Sequence, residues 1–95
     1  MKNTPALQTG QLEALLHEGR DGEAMALLDK LIADYPGDDS LFFTRGKLHW
    51  RHGQRPAAMA DYLEAVRLNP DSPAAVALAH ARDIDDFFNP DLFNP

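Results

Sequence analysis

Three landmarks recur in this chain at a constant spacing of 34 residues, and this spacing constrains the fold more than any other feature. The recurring pairs are Gly19 and Gly53, Ala24 and Ala58, and Pro36 and Pro70. A period of 34 suits a unit of two helices joined by a turn. Glycine can adopt the left-handed backbone conformation that ends a helix, and proline prevents a helix from continuing. The spacing therefore predicts a helical hairpin that occurs twice.

Glycine and proline divide the chain into five segments, each about as long as an average globular helix. The expected segments run from Thr4-Pro5 to Gly19, from Asp21 to Pro36, from Asp38 or Asp39 to Gly53, from Pro56 to Asn69-Pro70, and from Ser72-Pro73 to residue 88. Capping side chains are expected at helix starts from Thr4, Asp21, Ser40 and Ser72. Apolar residues follow a helical period in every segment, and none shows the alternation of a half-buried strand. The chain is therefore predicted to be all-α.

The third segment has two different apolar faces. One face carries Phe42, Gly46, His49 and Trp50, and the adjoining face carries Leu41 and Leu48. We therefore expect this helix to bury two faces.

The second unit resembles the tetratricopeptide repeat, whose pattern is W-x2-L-G-x2-Y, then A-x3-F, then P. The matching residues are Phe42, Gly46, His49, Ala58, Tyr62 and Pro70, whereas Arg45 stands where the pattern has leucine. The first unit matches less closely, with Gln8, Gln11, Leu12 and Leu15 at the leading places and Gly19, Ala24, Leu28 and Pro36 after them.

This resemblance implies one domain, a tetratricopeptide-like α-solenoid. Repeat 1 would cover about residues 5–38, repeat 2 about 39–72, and a capping helix about 73–88, followed by a tail of residues 89–95. The alternative is a generic helical bundle in which the two hairpins have no repeat relationship.

Composition excludes several classes of function. The chain has nine Lys and Arg residues against fifteen Asp and Glu, a net charge of −6, which argues against nucleic acid and anionic membranes as partners. There are no cysteines, so disulfides and thiolate sites are excluded. The longest apolar run has six residues, Ala74 to Ala79, which is too short for a membrane span. We expect a cytoplasmic protein.

No set of residues predicts catalysis. His49 and His52 lie three positions apart on one helix, but no cysteine or nearby acid completes a four-ligand metal site. Asp85 and Asp86 are adjacent, so their carboxylates diverge on a helix, and no glycine-rich phosphate loop occurs. We expect a protein that is not an enzyme, without catalytic residues, cofactor or metal.

Charge is concentrated on the third segment. Residues 41–60 contain four cations and no acid, although the rest of the chain has five cations and fifteen acids. Phe43, Lys47, Trp50 and Arg51 follow helical spacing and form a face that differs from the packing face. The other interpretation of this stripe is a solvated face with one half-buried tryptophan.

In the family that the chain resembles, this face lines a concave groove for extended peptides. The resemblance therefore implies a non-catalytic protein-interaction module, in which these four residues bind a protein segment of acidic or aromatic character. The family's carboxylate clamp needs Lys and Asn where this chain has Thr9 and Glu13, so that ligand class is not expected.

The alternative function is structural self-association as a homodimer. The apolar start of the fifth segment and a set of large side chains near the C-terminus favour it. That set comprises Phe87, Phe88, Leu92 and Phe93. The same residues predict a latch that docks on this chain or on a second copy, whereas the competing interpretation is a frayed terminus.

Overall fold

The structure, a computed structural model, describes residues 4–88 and the side chains of residues 4–82. Five helices account for most of these residues: α1 (Ala6–His17), α2 (Asp21–Asp34), α3 (Asp39–Arg51), α4 (Arg55–Leu68) and α5 (Ala74–Phe88). The part of the chain that is described contains no strand. The all-α prediction is confirmed, and the helices lie in the five predicted segments.

Contacts at the two ends of α3 show that it runs antiparallel to α4. Near the start of α3, Asp39 accepts a hydrogen bond from the Asn69 amide just beyond α4, at 3.4 Å. Near its end, the Nδ1 atom of His49 lies 2.6 Å from the Oε1 atom of Gln54, which precedes α4. Because the two helices meet at both ends in opposite order, they form a hairpin.

Helix α3 is also antiparallel to α2 and parallel to α1. Asp21 at the start of α2 bonds to Arg51 at the end of α3. Thr4, which precedes α1, donates from both its backbone nitrogen and its hydroxyl to Asp38, which precedes α3, at 2.8 Å each. This contact places the starts of α1 and α3 side by side.

Two buried apolar clusters meet at α3. The first joins α1, α2 and α3 through Leu12, Ala24, Leu28, Leu31, Leu41 and Leu48. The second joins α3, α4 and α5 through Phe42, Ala58, Tyr62, Ala65, Ala74 and Leu78. The prediction that the third helix buries two faces is confirmed, because Leu41 and Leu48 belong to one cluster and Phe42 belongs to the other.

Helices α3 and α4 approach each other closely at Gly46 on α3. A Cβ atom at this position would lie 2.6 and 2.7 Å from two ring carbons of Tyr62, and 3.3 Å from the carbonyl oxygen of Ala58. No side chain fits this gap without movement of the Tyr62 ring. Gly46, Ala58 and Tyr62, which all match the repeat pattern, therefore meet where α3 and α4 pack.

Helix ends follow the sequence signals at some positions. Asp38 caps α3 by accepting from the backbone nitrogen of Ser40, and the Ser72 hydroxyl accepts from the backbone nitrogen of Ala74 at the start of α5. Gly19 and Gly53 adopt positive φ values of 73° and 75° after α1 and α3, as expected of glycines that end helices.

Three predicted caps are wrong. The side chains of Thr4 and Asp21 do not cap α1 and α2, whose N-cap residues, Pro5 and Arg20, form no side-chain cap bonds. Thr4 instead bonds to Asp38, and Asp21 bonds to α3. The hydroxyl of Ser40 donates to the Asp38 carboxylate rather than capping the helix itself. In each case the side chain forms a charge-assisted hydrogen bond instead. Thr4 and Ser40 donate to the Asp38 carboxylate, and Asp21 accepts from Arg51.

None of the helices in the described chain has both the length and the hydropathy needed to cross a membrane.

Candidate functional site

A groove runs between the parallel helices α1 and α3. It consists of two adjoining depressions of about 230 and 260 Å³ that share Leu16, Thr44 and Lys47. The remaining lining residues are Thr9, Leu12, Glu13, Ser40, Leu41, Leu48 and Arg51. Because both depressions border the same three residues, they form one continuous surface.

The floor of this groove is apolar and its rim is charged. Leu12, Leu41 and Leu48 are buried beneath it, and Leu16 is half-buried at the wall. Glu13 on α1 and Lys47 on α3 are both exposed at the rim. The α3 wall from Ser40 to Arg51 is about 16 Å long at 1.5 Å per residue.

The four predicted peptide-binding residues divide into two pairs. Lys47 and Arg51 line the α1–α3 groove. Phe43 and Trp50 are half-buried against the second apolar cluster, on the side of α3 that faces α4 and α5. Lys47 connects the pairs, because its Nζ atom lies 4.5 Å from the centroid of the Phe43 ring.

The two aromatic residues have partners of their own. The Phe43 ring lies 6.1 Å from the Tyr62 ring, and the guanidinium carbon of Arg55 lies 5.0 Å from the Trp50 ring centroid. Both distances are in the range of favourable aromatic and cation–π contacts. Phe43 and Trp50 therefore contribute to the packing of α3 against its neighbours.

Ion pairs within the fold neutralise two of the cations on α3. Arg45 pairs with two aspartates and Arg51 pairs with Asp21 at 2.9 Å. Lys47, by contrast, is exposed and has no acidic partner among residues 4–82. Within the groove, Lys47 is thus the cation that is available to an acidic group on a ligand.

An ion network around Arg45 was not predicted from the sequence. Its Nε and Nη2 atoms donate to the two carboxylate oxygens of Asp61 at 2.9 and 2.8 Å, and its Nη1 atom donates to Asp29 at 3.0 Å. These bonds connect α3 to α4 and α2, and the bond to Asp61 in particular raises the pKa of Arg45. His49 lies 3.6 Å from Asp61 on the same side. The sequence signal that could have indicated this network is the pair Arg45 and Asp61, each of which lies on the inward side of its own helix.

A second polar contact joins the start of α2 to the end of α3. The Nε2 atom of His52 lies 2.7 Å from one carboxylate oxygen of Asp21, and Arg51 bonds to the other. The hydrogen bond with His52, together with the charge and hydrogen bond of Arg51, lowers the pKa of Asp21. Arg51 therefore belongs both to this contact and to the groove.

The two histidines with helical spacing bond to different partners. His49 contacts Gln54, whereas His52 contacts Asp21. Within the described residues, no three His, Cys, Asp or Glu side chains form a group that could hold a metal ion.

The predicted self-association residues are outside the described side chains. Phe87 and Phe88 belong to α5, but their side chains are not described, and Leu92 and Phe93 lie beyond the described chain. Elsewhere on α5, Val76 is 61% exposed.

The α1–α3 groove offers a bound segment an apolar floor, the ammonium group of Lys47 and the carboxylate of Glu13. These groups suit reversible binding of a chain that carries both apolar and charged side chains. Comparison with known proteins adds no relative: no protein-family model matches the chain, and neither a curated protein nor a solved structure is significantly similar to it.

Proposed function

We propose that this protein is a non-catalytic interaction module that binds an extended protein segment in the α1–α3 groove. The observation that carries the proposal is the position of Lys47, which is exposed, lacks an acidic partner in the described chain and borders both depressions of an apolar groove. A segment with an acidic side chain next to an apolar one would satisfy both features.

We also propose that the two hairpins are tetratricopeptide-like repeats with α5 as a cap. Three observations support this arrangement. Gly19 and Gly53, 34 residues apart, have nearly the same φ value. Gly46 contacts the helix that carries Ala58 and Tyr62, the residues that the repeat pattern aligns there. The starts of α1 and α3 lie side by side through Thr4 and Asp38.

The groove dimensions set the length of the ligand. A wall of about 16 Å accommodates about five residues of an extended chain, which advances roughly 3.3 Å per residue. Glu13 at the rim disfavours an acid at that end of the segment, so we expect the acidic residue of the ligand at Lys47 and not along its whole length.

Selection from a library of short displayed peptides tests this proposal. We expect enriched peptides to combine an acidic with an aromatic or aliphatic residue, and to bind the full chain reversibly. Lys47→Glu should weaken their binding by about fivefold, since an exposed ion pair is worth up to about 1 kcal/mol.

The matched control is Lys30→Glu. Lys30 is exposed on α2 outside the groove, so its reversal produces the same change in net charge without altering the site. Peptides that lose affinity equally in both variants respond to net charge alone. That result, or a selection that enriches no peptide, contradicts the proposal.

The second candidate function is self-association, favoured by the exposed Val76 on α5 and its exposed neighbours Ala75 and Ala79. Sedimentation of the full chain over a concentration series, compared with Val76→Asp, tests this face. A dimer that Val76→Asp abolishes supports the structural role, whereas a wild-type monomer at every concentration contradicts it.

A further inference from the structure

We propose that the α1–α3 groove of one copy binds the C-terminal segment, residues 89–95, of a second copy. In this arrangement Asp91 pairs with Lys47, and the ring of Phe93 enters the depression between Leu16 and Leu48. The inference rests on the proposed function, because it names the occupant of the same groove.

The groove has the two features that this segment requires. The depression bordered by Leu16, Leu48 and Lys47 measures about 260 Å³. A cavity of roughly 150 Å³ suffices for benzene in a protein interior, so an aromatic side chain fits here. Lys47 stands at the same depression, and within residues 4–82 it has no carboxylate partner.

The segment presents complementary groups at a suitable spacing. Residues 89–95 read Asn-Pro-Asp-Leu-Phe-Asn-Pro, with Asp91 two positions before Phe93. Alternate side chains of an extended chain point to the same side, about 7 Å apart, so Asp91 and Phe93 can face the groove together. Leu92 then faces away from it. Prolines at positions 90 and 95 restrict the backbone and lower the entropy lost on binding.

The short distance that the residues after α5 can span favours binding to the groove of a second copy over binding to the groove of the same chain. Helix α5 packs with α4 in the second cluster, whereas the groove lies on the α1 side of α3. Asp91 lies three positions beyond Phe88, the last residue of α5, and three positions span about 11 Å at most. A helix with its side chains is about 10–12 Å wide, so a span of about 11 Å is no longer than the width of α3 alone.

Sedimentation of the full chain and of its variants tests the proposal. We expect wild type to associate as its concentration rises. Lys47→Glu, which changes the groove, and Phe93→Asp, which changes the segment, should each weaken association by about fivefold or more. An equimolar mixture of these two variants retains one intact groove and one intact segment, so the mixture should associate more strongly than either variant alone.

Two matched controls define the contact. Lys30→Glu should associate as wild type does, because it lies outside the groove. Leu92→Asn should associate more strongly than Phe93→Asn, since only Phe93 faces the groove. Equal effects of the Leu92 and Phe93 substitutions overturn the assigned register, and with it the proposal.

A labelled synthetic peptide of residues 89–95, titrated with the full chain, separates the remaining outcomes. Saturable binding that Lys47→Glu weakens supports the proposal. A monomeric wild-type chain that does not bind the peptide overturns it, and so does a monomer that Phe93→Asp destabilises, which indicates docking within one chain. If selected library peptides still bind through Lys47, the proposed function stands although this occupant is wrong.

Discussion

The guanidinium group of Arg45 on α3 binds both carboxylate oxygens of Asp61 on α4, at 2.9 and 2.8 Å. Asp61 is only 6% exposed, so Arg45 supplies the hydrogen bonds that its buried carboxylate needs. The same arginine reaches Asp29 on α2. One side chain therefore joins three successive helices at the place where the repeat pattern has a leucine.

Replacing Arg45 tests the energetic role of this network. Arg45→Leu leaves the Asp61 carboxylate buried without its bidentate partner, so we expect the free energy of unfolding to fall by about 1–3 kcal/mol. The double variant Arg45→Leu/Asp61→Leu removes both charges and should recover most of the loss. Urea denaturation measures both effects.

Arg67→Leu is the control for this comparison. It removes the exposed pair between Arg67 and Glu64 on one helix, which should change stability by less than about 0.5 kcal/mol. If Arg45→Leu lowers the free energy of unfolding no more than Arg67→Leu does, the buried Arg45–Asp61 pair contributes no more to stability than an exposed pair.

Gly46 offers a test of the α3–α4 contact. Helix propensity alone favours Gly46→Ala by about 1 kcal/mol, but the new methyl group would lie within 2.7 Å of the Tyr62 ring. We expect a net loss of stability, and a loss of about 1–3 kcal/mol for the larger Gly46→Leu. Thermal unfolding followed by circular dichroism measures the change.

Gly10 is the matched position for this test, since a Cβ atom there would meet no atom within 4 Å. Gly10→Ala should therefore stabilise the protein by roughly 0.5–1 kcal/mol. Stabilisation by both substitutions would show that α3 and α4 do not approach as closely as the structure indicates.

The Asp38 carboxylate should make the free energy of unfolding depend on pH. Burial opposes its ionisation, but hydrogen bonds from Ser40 and Thr4 outweigh that effect and lower its pKa. Because the folded-state pKa lies below the unfolded value of about 3.9, the associated stability is present above that value and is lost as pH falls through the lowered pKa. Asp38→Asn keeps a capping acceptor but lacks this dependence.

Urea midpoints of wild type and Asp38→Asn, measured from pH 6 to pH 2, test this prediction. The stability gap between them should be constant at the upper end and should narrow below about pH 4. Asp38→Ala, which removes the cap as well, should cost about 1–2 kcal/mol at neutral pH. A gap that is the same at every pH would contradict the assignment.

Ser72 anchors the start of α5. Its buried hydroxyl accepts from the Ala74 nitrogen at 3.1 Å. Ser72→Ala should lower stability by about 1 kcal/mol and speed amide exchange in the first turn of α5, whereas Ser72→Thr should retain part of the cap. Hydrogen exchange measured by NMR is the readout. Equal exchange in all three proteins would exclude a capping role.

Local sequence signals determined the helices and most of their ends. Apolar periodicity, glycines at positions 19 and 53, and prolines after α2 and α4 act on the backbone within a few residues of their own position. Gly46 and Ala58, two of the residues that match the repeat pattern, lie at the α3–α4 contact, because only small side chains permit so close an approach.

Tertiary structure decided which charges remain available. Arg45 reaches Asp61 and Asp29 across 16 positions of sequence, and Arg51 reaches Asp21 across 30. Such pairs depend on the angle and register of packed helices, which no local pattern encodes. Folding brings acids from α2 and α4 to Arg45 and Arg51, whereas Lys47, on the same helix, has no acidic partner among the described residues.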